Sequence, residues 1–156
     1  MEILLLQREA EELIAAYADL IDEDRLEEWL DLFSETASYR IVSRENEEQS
    51  LPLALMLCDN KDMLRDRIVS LRQANIYNIH WDRHVVSLVR VRAVDGEHEI
   101  TASYALYHTT QEGETRLFSV GRYRDRVVRE DGRLRFRDKT VVVDTGAILT
   151  LLATPI

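Results

Sequence analysis

The sequence predicts an α+β fold in which a curved, mostly antiparallel sheet forms a cone packed on N-terminal helices. Three observations carry this reading. Apolar residues from Ile3 to Ile21 recur at the three-and-four spacing of one helical face. From Arg83 to Val143 four runs alternate apolar and polar residues, broken at Asp95-Gly96, Glu112-Gly113 and Asp131-Gly132. Glycine at such breaks accepts the positive φ of a tight hairpin turn, so the four runs read as an antiparallel meander. Gly121 interrupts the third of these runs, where glycine marks a bulge or bend that would curve the sheet.

Taken in order, Ile3, Leu6, Ala10, Leu13, Ile14, Tyr17, Leu20 and Ile21 place one amphipathic helix over residues 2–22. Asp24 and Glu27 stand in capping-box relation and open a second helix with Leu26, Trp29, Leu30 and Phe33 on one face. Residues 36–43 read as a strand, and Ser43 to Ser50 as a polar, acidic loop. Leu51 to Cys58 is a short apolar run, and its Pro52 confines it to a sheet edge or a strand start. Asp59 or Asn60 caps a third helix through about Arg72, with Leu64, Ile68 and Leu71 inward, and residues 73–82 are irregular. The strands then follow from His84 to Val94, His98 to Thr110, Thr115 to Arg129 and Leu134 to Val143. The two acidic helices cover one face of this sheet. The segment from Thr145 to Ile156 holds no charged side chain, so it either folds back on its own core or docks on another subunit.

Length and composition narrow the function. The 156 residues, 46% hydrophobic and 31% charged, make one soluble globular domain, residues 1–156, with a core of ordinary size. Cys58 is the single cysteine, so no intrachain disulfide and no cysteine-based zinc or iron–sulfur site is expected. There is no leader-like or membrane-length apolar stretch, and a cytoplasmic protein is expected. The net charge of −9 is uneven: residues 1–35 hold twelve acids against Arg8 and Arg25, while residues 83–139 hold twelve bases, eleven of them arginine. Overall acidity argues against nucleic acid. The arginines form either a solvated face laced with ion pairs or a contact surface.

No spacing enforces a catalytic constellation. His80 and His84 stand four apart, but the stretch enters a strand and no carboxylate completes a facial triad, so no metal site is expected; His98 and His108 stand isolated. A cone interior can hold an acid–base pair whose pKa values burial shifts towards neutrality. The candidates are Tyr17, His84, Tyr123 and Asp125, with Tyr39 and Tyr104 beside them. Each has an ordinary alternative, as core aromatics or, for Asp125 between Arg124 and Arg126, as half of an ion pair. In the order of its elements the chain resembles the cone fold of nuclear transport factor two and ketosteroid isomerase, a cystatin-like arrangement.

Four stretches go further: Glu28-Trp29-Leu30-Asp31-Leu32-Phe33 followed by Tyr39; Asp62-Met63-Leu64-Arg65-Asp66-Arg67 with Leu71-Arg72; Arg83-His84-Val85-Val86-Ser87; and Phe118-Ser119-Val120-Gly121-Arg122-Tyr123-Arg124-Asp125. In order and spacing they resemble the small (β) subunit of aromatic-ring-hydroxylating dioxygenases. Asp59 to Leu64 and Ala74 to Tyr77 resemble the branch that acts on aromatic carboxylates of the terephthalate, salicylate or benzoate type. The resemblance implies a non-catalytic partner in aromatic compound catabolism, with no catalytic residue and no cofactor on this chain. It implies a large (α) subunit that carries the Rieske [2Fe–2S] cluster and a mononuclear Fe(II), commonly three of each subunit. Electrons come from NAD(P)H through a separate reductase. A Rieske centre needs two cysteines, which this chain lacks. Arg83, His84, Arg122, Arg124, Leu152 and Ile156 then become candidate subunit contacts. The competing expectations are a stand-alone cone enzyme (isomerase, dehydratase or cyclase) using the Tyr17, His84, Tyr123 and Asp125 pocket, and a small-ligand-binding module.

Overall fold

The computed structural model describes residues 1–73, 79–144 and 154–156. Its elements are α1 Glu2–Asp22, α2 Leu26–Trp29, a 3-10 turn at Leu30–Leu32, β1 Phe33–Ser43, α3 Arg44–Glu48, β2 Met56–Cys58, α4 Lys61–Gln73, β3 His80–Val94, β4 Glu97–Thr110, β5 Thr115–Glu130 and β6 Arg133–Val143. The strands form one sheet in the order β2-β1-β6-β5-β4-β3, antiparallel except where β1 runs parallel to β6. The expected α+β sheet on N-terminal helices is present, and the meander is built from β3 to β6 with Gly96, Gly113 and Gly132 at positive φ in its turns.

Strand alternation decides the layers. On β4, Ile100, Ala102, Tyr104 and Leu106 point inward and are buried, while the residues between them face outward. Helix α1 buries Ala10, Leu13, Ile14, Tyr17, Ala18 and Ile21 against this inner face. Its Gln7 does more than pack. A bulge between Ser87 and Arg90 breaks the β3–β4 ladder, and the Gln7 amide donates to Val89 O (2.7 Å) and accepts from Val91 N (3.1 Å). A side chain thus takes the place of a strand partner and ties α1 to β3.

Several local expectations are corrected. The capping box does not form: Asp24 adopts φ 56, and Arg72 of α4 takes the Asp24 carboxylate at 2.7 Å and that of Glu27 at 2.9 Å. Tertiary ion pairing has displaced a local cap. The acidic loop contains α3, which starts where Ser43 Oγ accepts from Asn46 N. Strand β1 begins at Phe33, because Phe33 pairs with Phe136. Residues 80–82 are strand, paired with 108–110 on β4, rather than irregular. Asn60 is the side chain that caps α4, its Oδ1 accepting from Met63 N.

Most of the apolar tail lies outside the described residues, Leu152 included, but its end follows the self-docking alternative. Ile156 is fully buried in the chain's own core, where its carbonyl accepts from Tyr17 Oη at 2.5 Å and its N–H donates to Tyr39 Oη at 3.2 Å. Its side chain is therefore not available to a neighbouring subunit. Ile156→Ala should lower stability by about 2–5 kcal/mol, the range for emptying such a core position. A urea midpoint unchanged from the parent would show that the tail end does not seal the cone.

Candidate functional site

The interior residues expected to form an acid–base pocket do converge, but around a cation. Asp125 on β5 and Lys139 on β6 are directly opposite, both 0% exposed, with Lys139 Nζ 2.9 Å from Asp125 Oδ2. The ammonium lies 3.5 Å from the centre of the Tyr123 ring, 4.1 Å from that of Tyr17 and 4.9 Å from that of Phe136. Three aromatic faces and one carboxylate thus compensate a buried charge. Burial pushes the Asp125 carboxyl up, and Lys139 opposes that shift; burial pulls Lys139 down, and Asp125 opposes it in turn.

Tyr17 and Tyr123 are also fully buried, and burial holds both phenols well above their ordinary pKa. Tyr104 stacks on Tyr123 at 4.8 Å and hydrogen-bonds Ser119 at 2.9 Å. Among the described residues, the cavity left behind Trp29, Tyr39 and Pro155 measures about 10 Å³, room for roughly one water. A wider groove of about 550 Å³ opens between Ile3, Leu6 and Glu9 of α1 and Val91, His98 and Val127 of the sheet. None of the four expected pocket residues lines it. Where a substrate would sit, Tyr17, Tyr123, Asp125 and Lys139 are packed against one another.

His84 is separate from that group. Its imidazole is fully buried and lies on the Asp22 carboxylate at the end of α1, Nδ1 to Oδ1 2.6 Å, with the His84 backbone N–H donating to Asp22 Oδ2 at 2.9 Å. This closes β3 onto α1. It also removes His84 from the outer surface, so the expectation that it serves as a subunit contact is corrected by strand parity: even-numbered residues of this part of β3 point inward.

One cluster escaped the sequence reading. His80 and Asp82 share the inner side of β3, and the ladder sets Asp82 opposite His108. Asp82 Oδ1 lies 3.3 Å from His80 Nε2 and 2.9 Å from His108 Nε2. His108 is therefore not isolated, and a carboxylate does stand between two imidazoles. Burial alone would raise the Asp82 carboxyl, but the two imidazoles outweigh it and hold the group well below the usual carboxylate range. The signal was a two-residue strand spacing plus a cross-strand register, and the register was not legible.

The outer face differs in character. Odd-numbered residues of β3 project there, and the ladder aligns Arg83, Tyr107 and Leu117 in one row with Trp81 and Val85 flanking it. Trp81 and Val85 are each 55% exposed and Leu117 is 47% exposed, an apolar area of the kind that marks a contact surface. Most of the sheet's arginines are paired within the chain. Glu97 binds Arg126 and Arg137, Glu9 binds Arg129, and Glu47 binds both Arg40 and Arg124. Arg83 and Arg122 are exposed, and neither has an ion-pair partner among the described residues. The ion-paired reading thus holds for Arg124 and Arg126, while Arg83 stands free in the apolar row and Arg122 in the row of Ser87 and Ser103.

Among the described residues, Tyr17, Tyr123, Asp125 and Lys139 pack against one another on the inner face, and the outer face is apolar and cationic. The family described as ring hydroxylating beta subunit matches residues 16–150. The chain is 45% identical to the small subunit of anthranilate 1,2-dioxygenase from Burkholderia cepacia, over 90% of this chain and 88% of that one. It is 34% identical to subunit beta 1 of the terminal oxygenase component of terephthalate 1,2-dioxygenase from a Comamonas species, over 91% of this chain and 93% of that one. Among solved structures, one from Novosphingobium aromaticivorans, assigned to the beta subunit of an aromatic-ring-hydroxylating dioxygenase, superposes with a TM-score of 0.90 at 39% identity, covering 100% of both chains. The chain belongs to the ring hydroxylating beta subunit family.

Proposed function

We propose that this chain is the non-catalytic small subunit of a ring-hydroxylating dioxygenase whose substrate is an aromatic carboxylic acid. The observation that carries the reading is the occupied cone: the tyrosines and Asp125 that would do acid–base chemistry enclose Lys139 instead of a substrate space. The substrate class is supported by the anthranilate and terephthalate enzymes to which the chain is similar, since both compounds carry a ring carboxylate. The partner is a large subunit that holds the Rieske [2Fe–2S] cluster and the mononuclear iron, fed with electrons by a separate reductase in the cytoplasm. Three copies of each subunit form the assembly, a stoichiometry that head-to-tail contacts around a three-fold axis permit.

The contact surface in this reading is the outer face at Trp81, Val85, Tyr107 and Leu117, with Arg83 and Arg122 seeking carboxylates on the partner. Desolvated aromatic and arginine side chains dominate such contacts. Co-expression with the large subunit tests the role. The two chains should co-elute, and oxygenase activity should fall when this chain is omitted; separate elution with full activity would refute it. Within the complex, Trp81→Asp should cost about 2 kcal/mol or more of association, as loss of a central aromatic contact does. Light scattering should then report smaller particles, while the thermal midpoint of the isolated chain stays within a degree or two. An unchanged particle mass would place the contact on another face.

A further inference from the structure

The geometry points to a divalent transition-metal site, filled by Zn(II) or a similar borderline ion, formed by His80 Nε2, Asp82 Oδ1 and His108 Nε2 at the β3–β4 edge of the sheet. The three ligand atoms lie within 4.8 Å of one another. In a tetrahedral zinc site with arms of about 2.0–2.1 Å, neighbouring ligand atoms stand about 3.3 Å apart. The carboxylate oxygen meets that spacing, at 3.3 Å from one imidazole nitrogen and 2.9 Å from the other.

The atoms are close without being satisfied by one another. His108 Nε2 and Asp82 Oδ1 are both buried and, although 2.9 Å apart, have no hydrogen-bond partner among the described residues. Orphaned buried polar atoms are costly, and a cation between them would satisfy both. The ligands are also held in place. The His108 ring is stacked between Phe118 at 3.8 Å and His80 at 4.3 Å, and Thr154 donates to the other Asp82 oxygen at 3.4 Å. Such second contacts fix ligand orientation. The His80 and His108 side chains keep 17% and 16% of their surface exposed, so water can complete the coordination. Neither the 10 Å³ cavity nor the 550 Å³ groove touches these residues. The role is to clamp the free edge strand β3 to β4, directly behind Trp81 and Arg83.

The test is calorimetric titration of Zn(II) into the full chain after chelator treatment and desalting. One ion per chain should bind in the micromolar range or tighter, with a rise in thermal midpoint, because a ligand specific for the folded state stabilises it. Co(II) in place of Zn(II) should give the visible bands of a low-symmetry site with nitrogen and oxygen ligands. His108→Ala should weaken binding by at least ~10–100-fold, the cost of losing even an outer contact of a metal site. Asp82→Asn, nearly isosteric, should do likewise with the far-ultraviolet circular dichroism unchanged, which covers the case in which His108→Ala does not fold. His98→Ala should leave binding as it was. Absence of saturable binding, or binding that survives the double variant His80→Ala/His108→Ala, would overturn the assignment. Neither result would bear on the role of the chain as a dioxygenase subunit, which rests on other residues.

Discussion

Lys139→Met should lower the stability of this protein by about 3–5 kcal/mol, the range for removing one member of a buried ion pair. The loss is expected because Asp125, 0% exposed, would keep its place with, among the described residues, only the Thr140 N–H, at 3.4 Å, left to donate to it. Tyr17, Tyr123 and Phe136 would lose the cation their faces enclose. The pair itself is not expected to contribute that much, because desolvating both charges offsets most of their attraction. The double variant Lys139→Met/Asp125→Val should therefore recover most of the loss. Urea denaturation of the two variants and the parent decides the matter. If the double variant were as unstable as the single one, the packing of the lysine stem, and not the orphaned carboxylate, would be the cause.

Gly121→Ala should be comparably damaging, at about 3 kcal/mol or more, at or above the upper end of overpacking penalties. A Cβ at Gly121 would collide with the backbone oxygen of Val142 and stand 3.1 Å from Tyr104 Cε1. The Val142 oxygen belongs to the β5–β6 ladder, so it cannot swing aside as a side chain would; the two strands would have to part. Thermal unfolding of the variant should show a lowered midpoint. If it folds with an unaltered midpoint, β5 and β6 are less closely appressed than described. The glycine is thus required by a close backbone approach and not by a bulge. The bulge of β5 falls nearby, at Phe118, where the register with β4 slips between Leu106 and Tyr107.

How much of the site was legible follows from which interactions are local. Tyr17 lies on the apolar face that its helical spacing marks, and Tyr123 and Asp125 alternate inward on β5, a side that strand period reports. Lys139 was not anticipated. A lysine among alternating strand residues ordinarily faces water, and only the directly opposed Asp125 makes its burial tolerable. His108 stands isolated in the sequence for the same reason: its partner Asp82 is 26 residues away and meets it only through the β3–β4 register. The outer-face arginines divided in a way composition does not encode. Arg124 found Glu47 across the sheet, whereas Arg83 and Arg122 are free among the described residues.

The sequence by itself determined the helix over residues 2–22, the four-strand meander with its glycine turns, the single cysteine that leaves no room for a Rieske centre, and a run of motifs close enough to a known subunit family to name it. These are properties of neighbours along the chain: periodicity, turn conformation, ligand count. Tertiary structure alone decided that Lys139 sits among Tyr17, Tyr123 and Asp125, that Ile156 is buried in the core, that Arg72 takes the acids expected to cap α2, and that two histidines meet one carboxylate at the sheet edge. Each of these depends on strand register and on helix placement. A shift of one residue in register would turn His80, Asp82 and His84 outward and Trp81 and Arg83 inward, with no change in the pattern that identifies the strand.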